Sequence, residues 1–371
     1  MELQVQKHQL TDFRLVDSPE KALLPGEVRL AVDQFAFTAN NITYGAAGDM
    51  LGYWQFFPVP EPAEEHDWGI IPVWGFADVI ESQCEALPVG ERIYGYFPPA
   101  NSVVMLPQNV KPGSFIDGIA HRQSLPPLYN RYTRVSAEPN YDRRNDVPRM
   151  LLAPLHLTSY CIWDHIKQQH WFNAEQVVII SASSKTSLGV AVALRHDSNA
   201  PRVIGLTSTA NDQFVRGTNL YDEVINYDDI STALAQNTAV IIDMAGNANV
   251  RRALQIRLGE RLQHYISVGL THWDEQPNEN ERSENTDQIP AIKSQEMFFA
   301  PTYILERTKT LAPGEFDRAS GEFLSAAATA TFGWMQVEAL DGIEALANVY
   351  PEFVAGTISP SRGYVVSISK K

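Results

Sequence analysis

Cysteine is scarce in this chain of 371 residues, which contains only Cys84 and Cys161. Two thiols cannot form a disulfide framework, and they cannot supply a four-cysteine zinc site. No apolar run near the start has the length of a signal-peptide core, and no later run approaches the length of a transmembrane helix. We therefore expect a cytoplasmic protein that crosses no membrane and holds no structural zinc.

Positive charge is also in short supply, since 29 Lys and Arg residues stand against 44 Asp and Glu residues and the net charge is −15. A chain of this sign repels both a nucleic-acid backbone and an anionic membrane surface, so we expect neither as a partner. The 44% of hydrophobic and 20% of charged residues are typical of a globular protein. The length predicts two domains.

The first part of the chain has the pattern of a β domain. From Glu27 to about Pro107, segments such as "EVRLAVDQFAF", "GFADVIES" and "ERIYGYF" are short and rich in β-branched or aromatic residues, with Gly and Pro between them. Residues 108–150 mix Pro, Arg and Tyr without a sustained period. They predict an irregular segment that is either functional or a linker.

The pattern changes to alternating strands and helices from Gln176 onward. The candidate strands are "QVVIIS", "RVIGLTS", "EVINY", "AVIIDMAG", "HYISVGL" and "EMFFAP", and a helix is predicted before them at "LTSYCIWDHIKQQ". Such alternation predicts a parallel sheet covered by helices on both faces.

Glycine is nearly absent where a nucleotide-binding strand usually meets its glycine-rich turn. The stretch "SASSKTSLG" (residues 181–189) follows the first candidate strand, where such a sheet meets the pyrophosphate of a dinucleotide. Gly189 keeps the position that allows close helix packing. Hydroxyls, helix-start amides and a lysine can all bind phosphate. The predicted phosphate-binding residues are Ser181, Ser183, Ser184, Lys185 and Thr186.

Two other interpretations of this turn stay open. "SKTS" is similar to the end of a P-loop, although the glycines of that motif are missing. A Ser- and Thr-rich connection that only caps the helix is the second alternative.

The second candidate strand ends in "GLTSTAN", without the Asp or Glu that NAD-specific enzymes place near the ribose. Thr207 and Ser208 stand there instead, which predicts NADP(H), with Ser208 and Asn211 as hydrogen-bond donors to the 2′-phosphate and Lys185 adding charge. The alternative is a simple turn. Three residues at the ends of later candidate strands complete the predicted cofactor set: Tyr227, Gly246 and Gly269.

The order of these parts resembles the medium-chain dehydrogenase/reductase superfamily. "LPGEVRLAVDQFAFTANN", "PVGERIYGY" and "GTNLYDEVINYDD" resemble its opening strand, a turn and a later strand. The resemblance implies a GroES-like, mostly β domain over residues 1–150 and a Rossmann domain with a doubly wound parallel sheet over 151–305. Residues 306–371 would return to complete the first domain.

More narrowly, "HRQSLPPLYNRY", "EPNYD", "LLAPLHLTSY", "SASSKTSLG" and "GLTSTAN" are similar to a bacterial family known as a domain of unknown function. Zinc-dependent superfamily members carry a catalytic cysteine and a "GHE" motif, where this chain has "WGFAD" at 74–78. The zinc-free reductases of quinones and enoyl groups are therefore the nearer analogues.

The resemblance also implies residues that face the substrate. In zinc-free relatives these are an Asn after the second strand and a Tyr about a dozen residues later, which gives Asn41 and Tyr53 here, with Tyr44 as the alternative. A phenol can donate a proton to a developing enolate. His156, expected where the two domains meet, is either an acid or base or a cap of the following helix.

Residues of the irregular segment are further candidates. His121, Arg122 and Arg131 would line the cleft and attract an anionic group, or the arginines would pair with Asp142 or Asp146.

Together these features predict an NADP(H)-dependent, zinc-independent oxidoreductase that reduces an activated C=C or C=O bond of a small molecule by hydride transfer. The alternatives are an NADP(H)-binding sensor or partner protein without turnover, and a non-redox lyase or isomerase. The resemblance also implies a homodimer, since superfamily members commonly pair through the edge strand of the nucleotide-binding sheet. Here that edge would be "EMFFAP", and an apolar strand left unpaired favours association.

Overall fold

The computed structural model describes residues 1–17, 21–59, 67–139, 141–268 and 290–368. The chain divides into two compact units. The β unit contains Met1–Leu151 and Gln336–Lys371, and the α/β unit contains Leu152–Met335. In the part of the chain so described, no helix is both long and apolar enough to span a membrane.

The first 151 residues form most of the β unit. Their strands are β1 (Glu2–Gln6), β2 (Gln9–Val16), β3 (Val28–Phe37), β4 (Trp68–Gly69), β5 (Val73–Ser82), β6 (Arg92–Phe97), β7 (Ser102–Met105), β8 (Pro107–Lys111), β9 (Ser114–Asp117) and β10 (Arg131–Arg134). Helices α1 (Ala39–Ala46) and α2 (Gly48–Leu51) follow β3. A small antiparallel sheet has the order β2-β1-β4, and the other strands belong to a larger one.

The core of the β unit is aromatic and aliphatic. Its central strands β3, β5 and β6 contribute fully buried side chains such as Phe35, Val73 and Tyr96. The expected strands at 27–37, 75–82 and 91–97 are confirmed within two residues at each end. β-branched and aromatic residues pack well on a pleated surface, which is why these segments were recognisable.

The segment 108–150, predicted to be irregular, contains several short regular elements. It contains most of β8, all of β9 and β10, and the start of helix α3 (Asp146–Gln168). The three strands are four or five residues long. Strands of this length are too short to display a period, so the sequence pattern did not predict them.

The α/β unit is built on a parallel sheet. Its strands are β11 (Gln176–Ile180), β12 (Arg202–Thr207), β13 (Glu223–Asn226), β14 (Ala239–Asp243), β15 (Leu262–Val268) and β16 (Gln295–Phe298). They lie in the order β13-β12-β11-β14-β15-β16. This is the order of a dinucleotide-binding fold, with its reversal between β11 and β14.

Helices cover both faces of this sheet. They are α4 (Lys185–Arg195), α5 (Asp212–Gly217), α6 (Ile230–Ala233), α7 (Ala248–Leu258), α8 (Ala300–Thr310) and α9 (Glu315–Phe332), together with most of α3. Val177 and Ile179 pack in the core that contains Leu188 of α4. Val178 and Ile180 pack in the opposite core, which contains Leu254 of α7. The predicted fold class, a mostly β domain plus a doubly wound parallel-sheet domain, is confirmed.

The return segment begins at Gln336 and not at the predicted residue 306. Helices α8 and α9 stay in the α/β unit, because residues such as Phe316 pack in its core. Strands β17 (Gln336–Asp341) and β18 (Arg362–Ser367) flank helix α10 (Ile343–Val354). They join the larger sheet of the β unit in the order β17-β18-β3-β5-β6-β10-β9-β8, with β7 also paired to β3.

Candidate functional site

The turn between β11 and α4 is shaped by its serines. Ser181 has φ +58, a left-handed conformation that is uncommon for a residue other than glycine. The carbonyl of Ser181 accepts from the amide of Ser184 at 2.9 Å. Ser184 is the N-cap of α4, and its Oγ accepts from the amide of Ser187 at 3.2 Å. The helix therefore begins at Lys185 because a hydroxyl satisfies one of its free amides.

Gly189 lies where α4 contacts α3. A Cβ atom added at Gly189 would lie 2.4 Å from Ser159 Oγ and 2.7 Å from His156 Cδ2. Ser159 Oγ donates to the carbonyl of Thr186 at 2.7 Å, which ties the first turn of α4 to α3. Only glycine fits at this close approach.

The turn after β11 meets the loops that follow β12 and β13. Asn211 Nδ2 donates to Ser183 Oγ at 3.3 Å. The amide of Ser181 donates to Tyr227 Oη at 3.1 Å. Four predicted cofactor-binding residues are thus brought together, because parallel strands have their carboxyl ends at the same edge of the sheet.

Lys185 and His156 are two titratable side chains at this turn, and burial lowers the pKa of each. Lys185 is partly buried, and desolvation lowers the pKa of its ammonium group to about 8. His156 is 0% exposed, and neither ring nitrogen has a hydrogen-bond partner within the described residues. Burial and the charge of Lys185 lower the pKa of His156 to about 4, so the imidazole is neutral at pH 7. His156 lies inside α3 and does not cap a helix.

The other predicted cofactor residues differ in what surrounds them. Thr207 is 1% exposed, and its Oγ1 has no partner within the described residues, whereas Ser208 next to it is partly exposed. Gly246 has φ +71, and its amide donates to Asp243 Oδ1 at 2.9 Å. Gly269 lies outside the described residues. A role for these residues in cofactor binding stays a prediction.

A second group of candidates forms an aromatic cluster in the β unit. The Oη atoms of Tyr53 and Tyr129 are 3.0 Å apart. The ring of Tyr44 lies 4.7 Å from that of Tyr53, and Tyr44 Oη accepts from Trp74 Nε1 at 3.3 Å. Burial raises the pKa of Tyr44, Tyr53 and Tyr129, so all three phenols are protonated at neutral pH. Tyr129 was not among the residues predicted from the sequence to face a substrate.

Asn41 is occupied by structural hydrogen bonds. Its Oδ1 accepts from the amide of Thr38 at 2.8 Å, and its Nδ2 donates to the carbonyl of Pro72 at 2.9 Å. Thr38 is the N-cap of α1, so the side chain of Asn41 stabilises the start of that helix. The structure gives Asn41 a capping role, and its predicted role toward substrate stays a prediction.

Arg122 is not a free surface cation. It is 2% exposed, its Nη1 lies 2.6 Å from Asp117 Oδ2, and its Nε donates to the carbonyl of Phe56 at 2.7 Å. The ring of His121 also approaches this carbonyl, at 3.3 Å. The alternative partners named from the sequence pair elsewhere, Asp142 with Arg144 and Asp146 with Arg92. Arg122 and His121 therefore position the backbone of the β unit, and Arg131 is exposed.

Metal ligands are not grouped in the described ranges: no cluster of three or more His, Cys, Asp or Glu side chains there could hold a metal ion.

Comparison with known proteins places the fold. The model of a family described as a protein of unknown function, DUF2855, matches residues 35–359. Among curated proteins none matches. The matched residues cover far more than half of the chain. Their bounds include both the turn at 181–189 and the aromatic cluster.

Solved structures share the architecture over nearly the whole chain. CurA from Vibrio vulnificus, solved in complex with NADPH, has a TM-score of 0.61 at 12% identity, covering 97% of this chain and 95% of its own. The quinone oxidoreductase from Coxiella burnetii has a TM-score of 0.53 at 13% identity, covering 99% of each chain. Escherichia coli K-12 YhdH, solved with bound NADPH, has a TM-score of 0.53 at 12% identity, covering 100% of each. The expected resemblance to the medium-chain dehydrogenase/reductase fold is confirmed.

Proposed function

We propose that this chain, which belongs to the DUF2855 family, is an NADP(H)-dependent oxidoreductase that reduces an activated C=C or C=O bond of a small molecule. The observation that carries the proposal is the turn at residues 181–189. It lies at the carboxyl end of β11, where the strand order of the parallel sheet reverses, and it opens helix α4. This is where dinucleotides bind in such folds.

The residues of the turn fit a dinucleotide diphosphate. The amides of Ser183 and Thr186 donate to no protein group within the described residues, and they lie beside the N-terminus of α4. Lys185 supplies a positive charge in the same turn. An anion is stabilised by free amides, by the helix dipole and by a cation together. Four of the structures that share this fold were solved with NADP or NADPH, at low sequence identity.

Specificity for NADP(H) follows from the second strand. Ser208 stands directly after β12, where NAD-specific enzymes place an Asp or Glu, and Asn211 follows it. The next carboxylate along the chain, Asp212, is paired with Arg216 at 2.8 Å. When bound, the cofactor supplies the hydride. The protein's part is to orient the two reactants, and Tyr53 is the proposed proton donor.

Zinc independence is part of the proposal, because "WGFAD" stands at 74–78 where zinc-dependent members carry "GHE". A phenol that donates a hydrogen bond would then polarise the substrate oxygen in place of a metal.

A second candidate function is an NADP(H)-binding protein without redox turnover. Two observations favour it: the side-chain amide of Asn41 is engaged by Thr38 and Pro72, and Tyr53 is only 4% exposed. A panel of quinones, enals and enones separates the two candidates by whether any of them consumes NADPH.

The test of the proposal is coenzyme binding. Titration of the protein with NADPH and NADH, followed by coenzyme fluorescence and calorimetry, is expected to show binding and preference for NADPH. Lys185→Ala is expected to weaken NADPH binding about tenfold or more and NADH binding less, because a charged contact to phosphate is worth roughly 1.5–3 kcal/mol. Lys309→Ala removes the same charge from exposed helix α8 and is the matched control.

Failure of the wild-type protein to bind either coenzyme would contradict the proposal. Equal loss for both coenzymes in Lys185→Ala would remove only the assignment of Lys185 to the 2′-phosphate.

We also propose a homodimer formed through β16, the last strand of the parallel sheet. Met297 on this strand is 58% exposed, and an uncovered edge strand that presents an apolar side chain favours pairing with a second copy. Sedimentation of the wild-type protein and of Met297→Lys tests this, with a monomer in the wild type as the contradicting result.

A further inference from the structure

We propose that Tyr53 and Tyr129 form a paired hydrogen-bond donor for an oxyanion, in which Tyr53 contacts the ligand oxygen and Tyr129 is the positioning residue. The ligand class is a carbonyl compound whose oxygen gains negative charge, or a phenolate that resembles it. The inference rests on the proposed function for the reaction, but the binding of an oxyanion can be tested without cofactor.

The pair has one more proton than its mutual hydrogen bond uses. The two Oη atoms are 3.0 Å apart, and each carries a hydroxyl proton at neutral pH because burial raises its pKa. One O–H donates to the other oxygen. Within the described residues neither phenol has another hydrogen-bond partner, so the second O–H has no protein acceptor there.

The fold holds these two phenols together from distant parts of the chain. Tyr53 begins a 3-10 turn (Tyr53–Gln55), and Tyr129 lies in another (Pro127–Asn130). Arg122 joins the two turns. Its Nε donates to the carbonyl of Phe56 at 2.7 Å, and its own carbonyl accepts from Asn130 Nδ2 at 2.8 Å. The separation of the two hydroxyls is therefore fixed by a buried tether and not by the phenols alone.

The surroundings strengthen a hydrogen bond to an anion. The rings of Tyr44 and Phe56 lie 4.7 Å from Tyr53 and 5.4 Å from Tyr129 respectively. The ring of Tyr96 lies 4.8 Å from that of Tyr129, and Tyr96 Oη is buried without a partner within the described residues. Fixed hydroxyl dipoles in a water-poor aromatic environment stabilise a developing negative charge more than water does.

The pair also explains why two phenols are placed together. When Tyr53 gives its proton to the ligand oxygen, its O–H bond breaks and a new O–H bond forms on the ligand. The negative charge left on Tyr53 Oη then accepts the hydrogen bond of Tyr129. Water returns the proton to Tyr53 after the product leaves. Tyr129 thus lowers the cost of the phenolate without touching the ligand.

The probe for this inference is 4-nitrophenol, whose ionisation is seen by absorbance. The wild-type protein is expected to bind the phenolate in preference to the neutral phenol and so to lower the apparent pKa of the probe. Tyr53→Phe and Tyr129→Phe are each expected to weaken phenolate binding about tenfold or more, since a hydrogen bond to a charged group is lost. Both effects should be smaller for binding of neutral 4-nitrophenol.

Tyr350→Phe is the matched control, because Tyr350 is also buried in the same unit and its Oη has no partner within the described residues. This variant is expected to bind the phenolate as the wild type does. Ring-labelled tyrosine in the wild-type protein gives a measurement that needs no variant to fold: the Cζ resonances of two tyrosines should move when the phenolate binds.

Absence of phenolate binding by the wild-type protein, or unchanged binding in Tyr129→Phe, would overturn the inference. Where a substrate is found, Tyr129→Phe is expected to lower kcat with little change in KM, whereas a purely structural role would alter both. NADPH binding is measured separately in each variant. Failure of the wild-type protein to bind NADPH would contradict the proposed function. The oxyanion site is decided by phenolate binding alone.

Discussion

The turn at residues 181–189 and the phenol pair of Tyr53 and Tyr129 are built in opposite ways. The turn is one continuous stretch whose hydroxyls, amides and lysine are partly accessible and polar. The pair joins residues 76 positions apart and is enclosed by aromatic rings. A continuous site keeps its shape through local capping and helix packing. A site assembled from distant turns depends on whatever ties those turns together.

This difference predicts where each site is vulnerable. The phenol pair depends on the buried ion pair of Arg122 and Asp117. The turn depends on the contact of Gly189 with Ser159 and His156. Substitutions at the two supports should therefore have separable effects.

Arg122→Met is expected to have the largest effect on stability. It leaves Asp117, whose side chain is 0% exposed, as an unpaired buried charge, which costs about 3–5 kcal/mol. The free energy of unfolding in urea measures this loss. NADPH affinity of the folded variant should stay at the wild-type value, because the turn lies in the other unit.

The control for this prediction is Arg122→Met combined with Asp117→Asn. It removes the stranded charge while keeping an acceptor for the backbone amides of Leu106 and Ile119. The double variant should recover much of the lost stability. A single variant as stable as the wild type would show that the ion pair does not support the β unit.

Lowering the pH should reduce the stability of the protein through protonation of His156, which packs against Gly189. Its folded pKa is about 4, below the ordinary value of about 6.5, so between these values the unfolded chain binds a proton that the folded chain does not. Stability should therefore fall as the pH is lowered from about 6.5 to about 4, by at most about 3 kcal/mol.

Melting temperatures across this pH range, compared with those of His156→Leu, measure the effect. The variant should lose this part of the pH dependence, because it has no imidazole to protonate. Equal slopes for the two proteins would mean that His156 is not the titrating group.

Gly189→Ala should have the smallest effect on stability, about 1–3 kcal/mol, since the added methyl group must displace Ser159 and His156. It should also weaken NADPH binding, because a displaced α4 would shift the turn at residues 181–189 that begins this helix. Gly321→Ala is the matched control. No atom lies within 4 Å of a Cβ added there, and in helix α9 it should stabilise by about 0.5–1 kcal/mol. Equal stabilities of the two variants would contradict close packing at Gly189.

Much of the fold could be predicted from the sequence, and the failures have identifiable causes. The strands that form the parallel sheet were predicted because buried strands are continuous apolar runs, such as Val177 to Ile180. The return segment was placed 30 residues early, at 306 and not at 336. Helix periodicity shows that α8 and α9 have an apolar face but not which core that face packs against.

The candidate sites divide in the same way. The turn at 181–189 was predicted because its position after a strand and before a helix is a local property. The role of Arg122 was not, because an exposed cation and a buried one tied to Asp117 have the same sequence signature. The hydrogen bonds of Asn41 could not be predicted either. The resemblance gives its position, but its Nδ2 donates to the carbonyl of Pro72, which is 31 residues away in the chain.

The sequence by itself determined the two kinds of architecture, the position of the hydroxyl-rich turn and the shortage of metal-binding cysteines. These depend on residue type and on spacings of a few residues. Tertiary structure alone decided that Tyr129 meets Tyr53, that Arg122 is buried and that the second unit ends at Met335. Contacts between distant segments are selected by how well whole surfaces pack and satisfy their hydrogen bonds, and that information is not local to any stretch of chain.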